Sequence, residues 1–349
     1  MRALLYDSFG DPPRISIVPD PVVPRDGVVV EVKASGLCRS DWHGWRGHDA
    51  DIRTLPHIPG HEFAGVIAAV GPDAQRWRIG DRVTTPFALG CGTCVYCLAG
   101  DQQVCEKQFQ PGFTGPGSFA EYVALPYADV NLVRLPDEME FVDAAALGCR
   151  FATAFRGVAK QARLQAGEWV AVYGCGGVGL SAVMIARALG ANVIGVDVAG
   201  EKLDLAREAG AAHTFNAAAI PDVPQAIRDL TGGGVHVAVD AFGGAITCRN
   251  SILSLRRRGR HVQIGLLLGD QAEPRLPMGR VIAHELEIFG SHGMQAHAYP
   301  ELLDMIAAGK LPLGKLIVRR IALDDACAAL VSLDSSPGKG ITMIDRFAA

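Results

Sequence analysis

The sequence predicts an α/β chain in which a mostly β domain precedes a doubly wound parallel sheet. Three observations predict it. Short β-type runs broken by glycine and proline fill the first 150 or so residues. From about Phe151 strand and helix patterns alternate, which builds a parallel sheet through right-handed crossovers. After about His292 the texture changes again. The expected divisions are 1–150, 151–291 and 292–349. A length of 349 residues also favours more than one domain, and 49% apolar residues can fill a large core.

Each element follows from its local pattern. Val28 to Val32 reads as a strand, and Phe63 to Val70 as a longer apolar one closed by Gly71-Pro72. Gly80-Asp81-Arg82-Val83 reads as a turn entering a strand. Trp169 to Tyr173 is a buried strand, and Val178 to Leu189 a helix ended by Gly190. Asn192 to Val196 is the next strand, followed by a helix over Glu201 to Ala209 ended by Gly210. Val235 to Val239 and Arg260 to Ile264 are further strands, with a helix near Ala245 to Leu255 between them. The Arg256-Arg257-Arg258 run is expected at the solvated end of that helix. Pro300 to Ala308 has the pattern of an amphipathic helix, and Gly340 to Ile344 of a last strand.

Composition excludes several classes. A net charge of -4 argues against nucleic acid as a main partner. Charge appears at Arg2 and Asp7, before any signal-peptide apolar stretch. Trp169 to Ala186 lacks charge and approaches spanning length, but glycines interrupt it and its periodicity changes midway. Strand, turn and buried helix explain it better than a bilayer span, so no membrane partner is expected. Nine cysteines, an odd number, fit a reducing cytoplasm better than a disulfide framework.

Cys91, Cys94, Cys97 and Cys105 follow the order C-x2-C-x2-C-x7-C. Thiolates so spaced converge on one tetrahedral ion, and zinc is the usual occupant of a closed sulfur-only site. An iron–sulfur reading fits less well, because the last gap is seven residues and Glu106, not proline, follows.

Gly174-Cys175-Gly176-Gly177-Val178-Gly179 stands between a strand and a helix, the context a G-x-G-x-x-G dinucleotide fingerprint requires. Gly174 permits the tight turn, Gly176 lets backbone approach a pyrophosphate, and Gly179 lets the helix pack on the strand. Asp197 ends the next strand, where a carboxylate accepts from ribose hydroxyls and repels a 2′-phosphate. That favours NAD over NADP; the competing reading is a helix-capping aspartate. Lys202 is either a ribose contact or a surface lysine.

Cys38, His61 and Cys149 offer three ligands that would leave a fourth position open, as catalytic zinc requires, and Glu62 could ligate transiently or act behind them. Singly, each also reads as a small buried thiol or a satisfied core histidine. Spacing alone cannot unite them.

A family resemblance does. Gly60-His61-Glu62-Phe63-Ala64-Gly65 with Gly71, Cys38-Arg39-Ser40-Asp41, the cysteine lobe, Gly80-Asp81-Arg82-Val83, Cys149 and the glycine fingerprint come in one order. Over essentially the whole chain this resembles the medium-chain zinc-dependent alcohol dehydrogenases. The resemblance implies a GroES-like catalytic domain, an inserted Rossmann domain after Cys149, and a return to the catalytic domain near the C-terminus. It implies two zincs per chain, catalytic at Cys38, His61 and Cys149 and structural at the cysteine quartet. Ser40 and His43 match a proton relay, although His43 also reads as a surface histidine. Asp41 matches the carboxylate orienting the zinc histidine, Arg39 a pyrophosphate contact, and Phe87 a pocket aromatic. Trp42 and Trp45 either line that pocket or pack; Phe109 and Phe113 are further aromatic candidates, and His48 has no assignment.

Polyol dehydrogenases of the family place glutamate near the third ligand, so Cys149 draws the expectation toward simple alcohols and their aldehydes or ketones. Aromatic candidates hint at bulky substrates. The short Cys105 to Gly117 connection resembles tetrameric microbial members, with a dimer as the alternative. The rivals are a polyol dehydrogenase, a zinc-free reductase of the wider superfamily, and a non-catalytic NAD-binding protein.

Overall fold

Val28–Leu37 is a ten-residue strand whose valines are buried, and it centres the first sheet. The computed structural model describes residues 1–334 and 340–348. Within these, a seven-stranded sheet runs in the order Ile317–Ala322, Ile341–Arg346, Val28–Leu37, Phe63–Val70, Arg82–Thr84, Val133–Arg134, with Tyr122–Leu125 also on Val28–Leu37. Its pairings are antiparallel except the first, which is parallel. Phe63, Ile67, Phe119, Trp42 and Trp45 pack in its core. This sheet belongs to a unit of Met1–Ala152, Gly293–Leu303 and Ile317–Ala349.

The other unit comprises Thr153–His292 and Asp304–Leu316. Its six strands are all parallel, in the order His213–Asn216, Asn192–Asp197, Trp169–Tyr173, Val235–Asp240, Leu255–Gln263, Glu287–Gly290. In order along the chain that is 3-2-1-4-5-6, the doubly wound arrangement, with the strand order reversing beside Trp169–Tyr173. Ala171, Ile194, Val196 and Ala238 bury between strands and the covering helices, as strands covered on both faces require.

The arginine run departs from expectation. The helix ends at Leu253, and Arg256, Arg257 and Arg258 belong to the strand Leu255–Gln263. Register jumps from Val235↔Leu255 to Val237↔Arg260, so the intervening residues bulge out of the ladder. Bulging keeps three charges in solvent where a regular strand would bury alternate ones. Arg258 takes a φ of 61° there and donates to Glu285 at 2.6 Å.

Candidate active site and metal centres

The helix Arg39–Trp45 starts where Val28–Leu37 ends, which places Cys38 at its N-cap and Asp41 in its first turn. Asp41 is buried and organises what lies around it. Its Oδ2 accepts from the Cys38 N–H at 2.9 Å. Its Oδ1 accepts from the Gly60 N–H at 3.1 Å and pairs with His61 Nδ1 at 2.8 Å. Gly60 holds φ at 104°, where a Cβ would lie 2.5 Å from Phe119, so the turn delivering His61 requires glycine.

Cys149 arrives on a π-helical turn, Leu147–Phe151, closed by Ala152 N–H on the Leu147 carbonyl. The extra residue in such a turn re-aims side chains. Buried Tyr299 donates its hydroxyl to the same carbonyl at 3.3 Å.

These elements bring one ligand atom each from Cys38, His61, Glu62 and Cys149 within 4.8 Å of one another. His61 Nε2 is buried and makes no hydrogen bond to any described residue. A buried ring nitrogen left without a partner is costly, and beside two thiols it fits a soft or borderline cation. A hydrogen bond from Cys149 and the nearby Arg150 charge outweigh burial and hold the Cys38 thiol well below its usual range. The same bond, with burial, pushes Cys149 up. Burial alone would lower His61, but the Asp41 carboxylate overrides it and holds the ring well above its usual range.

Cys91, Cys94, Cys97 and Cys105 form the second cluster, also within 4.8 Å. All are free thiols. The Cys105 sulfur accepts backbone N–H groups of Cys91 and Lys107, both at 3.3 Å. Hydrogen bonds from Thr93 lower Cys91 to about 6, while burial pushes Cys97 up to about 12. Four thiols with no carboxylate or histidine among them suit a closed zinc site.

The glycine fingerprint has the geometry its spacing demands. Gly174 holds φ at 90°, and a Cβ there would meet the Phe242 backbone N at 2.9 Å. A Cβ on Gly179 would lie 1.7 Å from the Gly174 carbonyl oxygen. Gly176 has nothing within 4 Å of that position, so its backbone is open to a ligand. The helix Gly177–Ala188 begins there with no side-chain cap among the described residues, and its first-turn N–H groups have no partner within the helix, a fit for a pyrophosphate. Asp197 accepts from Cys175, Val198 and Ala199 N–H groups at 2.8, 2.8 and 3.0 Å. It therefore ties the fingerprint loop to the next loop. Lys202 is half-buried in the first turn of Gly200–Ala209.

Residues 24–137 match the alcohol dehydrogenase GroES-like domain, and residues 177–308 the zinc-binding dehydrogenase model. An alcohol dehydrogenase of Geobacillus stearothermophilus is 36% identical over 312 residues, covering 89% of this chain and 90% of its own. The chain belongs to the zinc-dependent medium-chain alcohol dehydrogenases. As a member of that family it is an oxidoreductase working with zinc and NAD. An NAD-dependent alcohol dehydrogenase of Sulfurisphaera tokodaii is 30% identical, covering 97% of this chain and 98% of its own. The crystal structure of an alcohol dehydrogenase from Aeropyrum pernix aligns with a TM-score of 0.88 at 32% identity, over 99% of this chain and 100% of its own.

Other residues of this dehydrogenase fall as follows. Ser40 is half-buried on Arg39–Trp45. On the same helix, His43 Nδ1 lies 3.1 Å from Nδ1 of exposed His48, and both rings pack edge-on against Trp42. Burial first, then Arg39 and His48, lower His43 to about 4. Arg39 stacks its guanidinium 3.7 Å from the Trp42 ring centroid and donates to the Leu333 carbonyl. The Phe87 and Phe113 rings lie 6.1 and 5.0 Å from the His61 ring. Trp45 packs in the core and donates its indole N–H to the Asp11 carbonyl at 2.6 Å.

Sequence reasoning missed Arg150. It is buried, and its Nε and backbone N–H each donate to Glu62 Oε1 at 2.9 Å. An arginine directly after the candidate ligand Cys149 was the available signal.

Among the described residues, no helix is long and apolar enough to cross a membrane.

Proposed function

We propose that the chain interconverts primary or secondary alcohols with aldehydes or ketones, using Cys38, His61 and Cys149 as the catalytic zinc ligands. The observation that carries this is His61 Nε2, buried and unpartnered beside two thiols. When bound, zinc supplies a Lewis acid for the substrate oxygen and NAD an acceptor for the hydride.

The chain's own residues do the rest. Asp41 accepts from His61 Nδ1 and fixes the ring, so that once a bound cation displaces the second ring proton, the Nε2 lone pair would face that cation. Ser40 Oγ would accept the alcohol proton while giving up its own hydroxyl proton, and His43, neutral above about pH 4, would pass that proton outward. Phe87 and Phe113 present apolar faces beside His61, which excludes water and suits a bulky or aromatic substituent. The Gly174, Gly176, Gly177, Val178 and Gly179 loop and the helix start hold the pyrophosphate. Asp197 favours NAD over NADP, with Lys202 at the same ribose. The Cys91, Cys94, Cys97 and Cys105 site offers no open position and stabilises its lobe. The short Cys105 to Gly117 connection supports a homotetramer, and the free thiols support a reducing, cytoplasmic setting.

The test is NADH formation from NAD with primary, secondary, benzylic and polyol alcohols. Turnover of simple or benzylic alcohols supports the reading. Turnover confined to polyols would redirect it. Silence across the panel, in protein carrying both zincs, would overturn it.

A further inference from the structure

We infer that Arg150 is a positioning residue that holds Glu62 out of the metal's ligand set and so keeps one coordination position open for the reacting oxygen. This rests on the reading that Cys38, His61 and Cys149 hold zinc. Glu62 directly follows a ligand, is fully buried, and brings a carboxylate oxygen into the same 4.8 Å cluster. An uncommitted carboxylate there would become a fourth protein ligand and close the site.

It is not uncommitted. Oε1 accepts the Arg150 backbone N–H and Nε, each at 2.9 Å. Oε2 accepts Nη2 of the same guanidinium. The remaining arm, Nη1, donates to the Leu37 carbonyl at 3.2 Å, at the end of the strand that leads into Cys38. One residue thus occupies both carboxylate oxygens and is itself anchored beside a ligand. Gly36 completes the clamp. A Cβ there would lie 2.4 Å from Glu62 Oε2 and 2.9 Å from Arg150 Nη2, so the pair packs directly onto the backbone. The planar fork matches the carboxylate in a way a lysine ammonium cannot. Released from it, buried Glu62 has the metal as its nearest remaining cation.

The experiment uses the full chain with cobalt(II) in place of zinc and reads its visible d–d bands. Imidazole serves as the probe of the open position. In the wild type, imidazole shifts the bands. Arg150→Lys keeps the buried charge but loses the fork. It should alter the bands without imidazole and weaken imidazole binding about tenfold. Arg150→Met should do so more strongly; if it does not fold, Arg150→Lys carries the test alone. Adding Glu62→Gln to either variant should restore the wild-type bands and imidazole response. Two cobalts per chain with an Arg150→Lys spectrum and imidazole affinity like the wild type would overturn this inference alone. A wild-type chain that takes up cobalt only at the cysteine quartet would overturn it together with the reading beneath it.

Discussion

One carboxylate orients two members of the candidate metal cluster: Asp41 meets His61 Nδ1 at 2.8 Å and the Cys38 backbone N–H at 2.9 Å. Replacing it with alanine leaves His61 free to turn and Cys38 without its tether. Asp41→Ala should lower zinc affinity at this site about 10- to 100-fold, read by competition with a chromophoric chelator. Unchanged affinity would show that the pair orients nothing.

His43 is held neutral down to about pH 4, so across the neutral range it is in its base form and can pass a proton on but not retain it. His43→Gln should slow alcohol oxidation about 100-fold, with partial rescue by added imidazole. An unaltered rate would remove His43 from the proton path.

Gly179 has no room for a methyl group, since its Cβ would lie 1.7 Å from the Gly174 carbonyl. Gly179→Ala must push the helix Gly177–Ala188 away from the turn. NAD affinity should fall about tenfold or more in calorimetric titration. Gly200→Ala is the control, because nothing lies within 4 Å of its Cβ position. Equal losses in both variants would refute the packing argument.

Cys94 lies in a closed thiol cluster with no assigned chemical step. Cys94→Ser should lower the melting temperature by about 5 °C or more. Activity per catalytic-site zinc should persist below that temperature. Equal heat stability would end the structural reading.

Buried His261 pairs with Ser251 at 2.8 Å and is lowered by burial to about 4. Unfolded, it takes a proton below about 6.5; folded, only below about 4. Its stabilising effect is therefore complete above pH 6.5 and is lost as pH falls toward 4, by about 3 kcal/mol. His43 adds to the same slope. Urea midpoints between pH 7 and pH 4.5 should fall, and His261→Gln should flatten part of that fall. A variant with the wild-type slope would contradict the assignment.

Four strands of the doubly wound sheet were legible because each announces itself within a dozen residues, whereas His213–Asn216 and Glu287–Gly290, four residues each, carry too little pattern and were not picked out. The close approach of Gly179 to the Gly174 carbonyl lies within five residues and was legible too, whereas Gly174 is crowded by Phe242, far along the chain. The Arg256 to Arg258 run was misplaced because a bulge and a helix end expose charge equally well. Arg150 was invisible because its partner Glu62 lies 88 residues away, and no local pattern records such a pairing. His48 was unassigned because a separation of five residues gives no helical contact; the chain turns at Gly47, with a φ of 75°, to bring it back to His43. Trp45 and Phe113 were both aromatic candidates, and only packing shows that one faces the core and the other the His61 ring.

The strand that leads into Cys38 pairs on one side with Thr342, Met343 and Ile344, more than 300 residues later. During synthesis its partner does not yet exist. The parallel sheet, whose strands all fall within Trp169–Gly290, has every neighbour on hand before Thr342–Ile344 are made. The order of maturation is thereby reversed relative to the order of translation. The nucleotide fold can close first, and the sheet that leads into Cys38 waits until Thr342, Met343 and Ile344 are made.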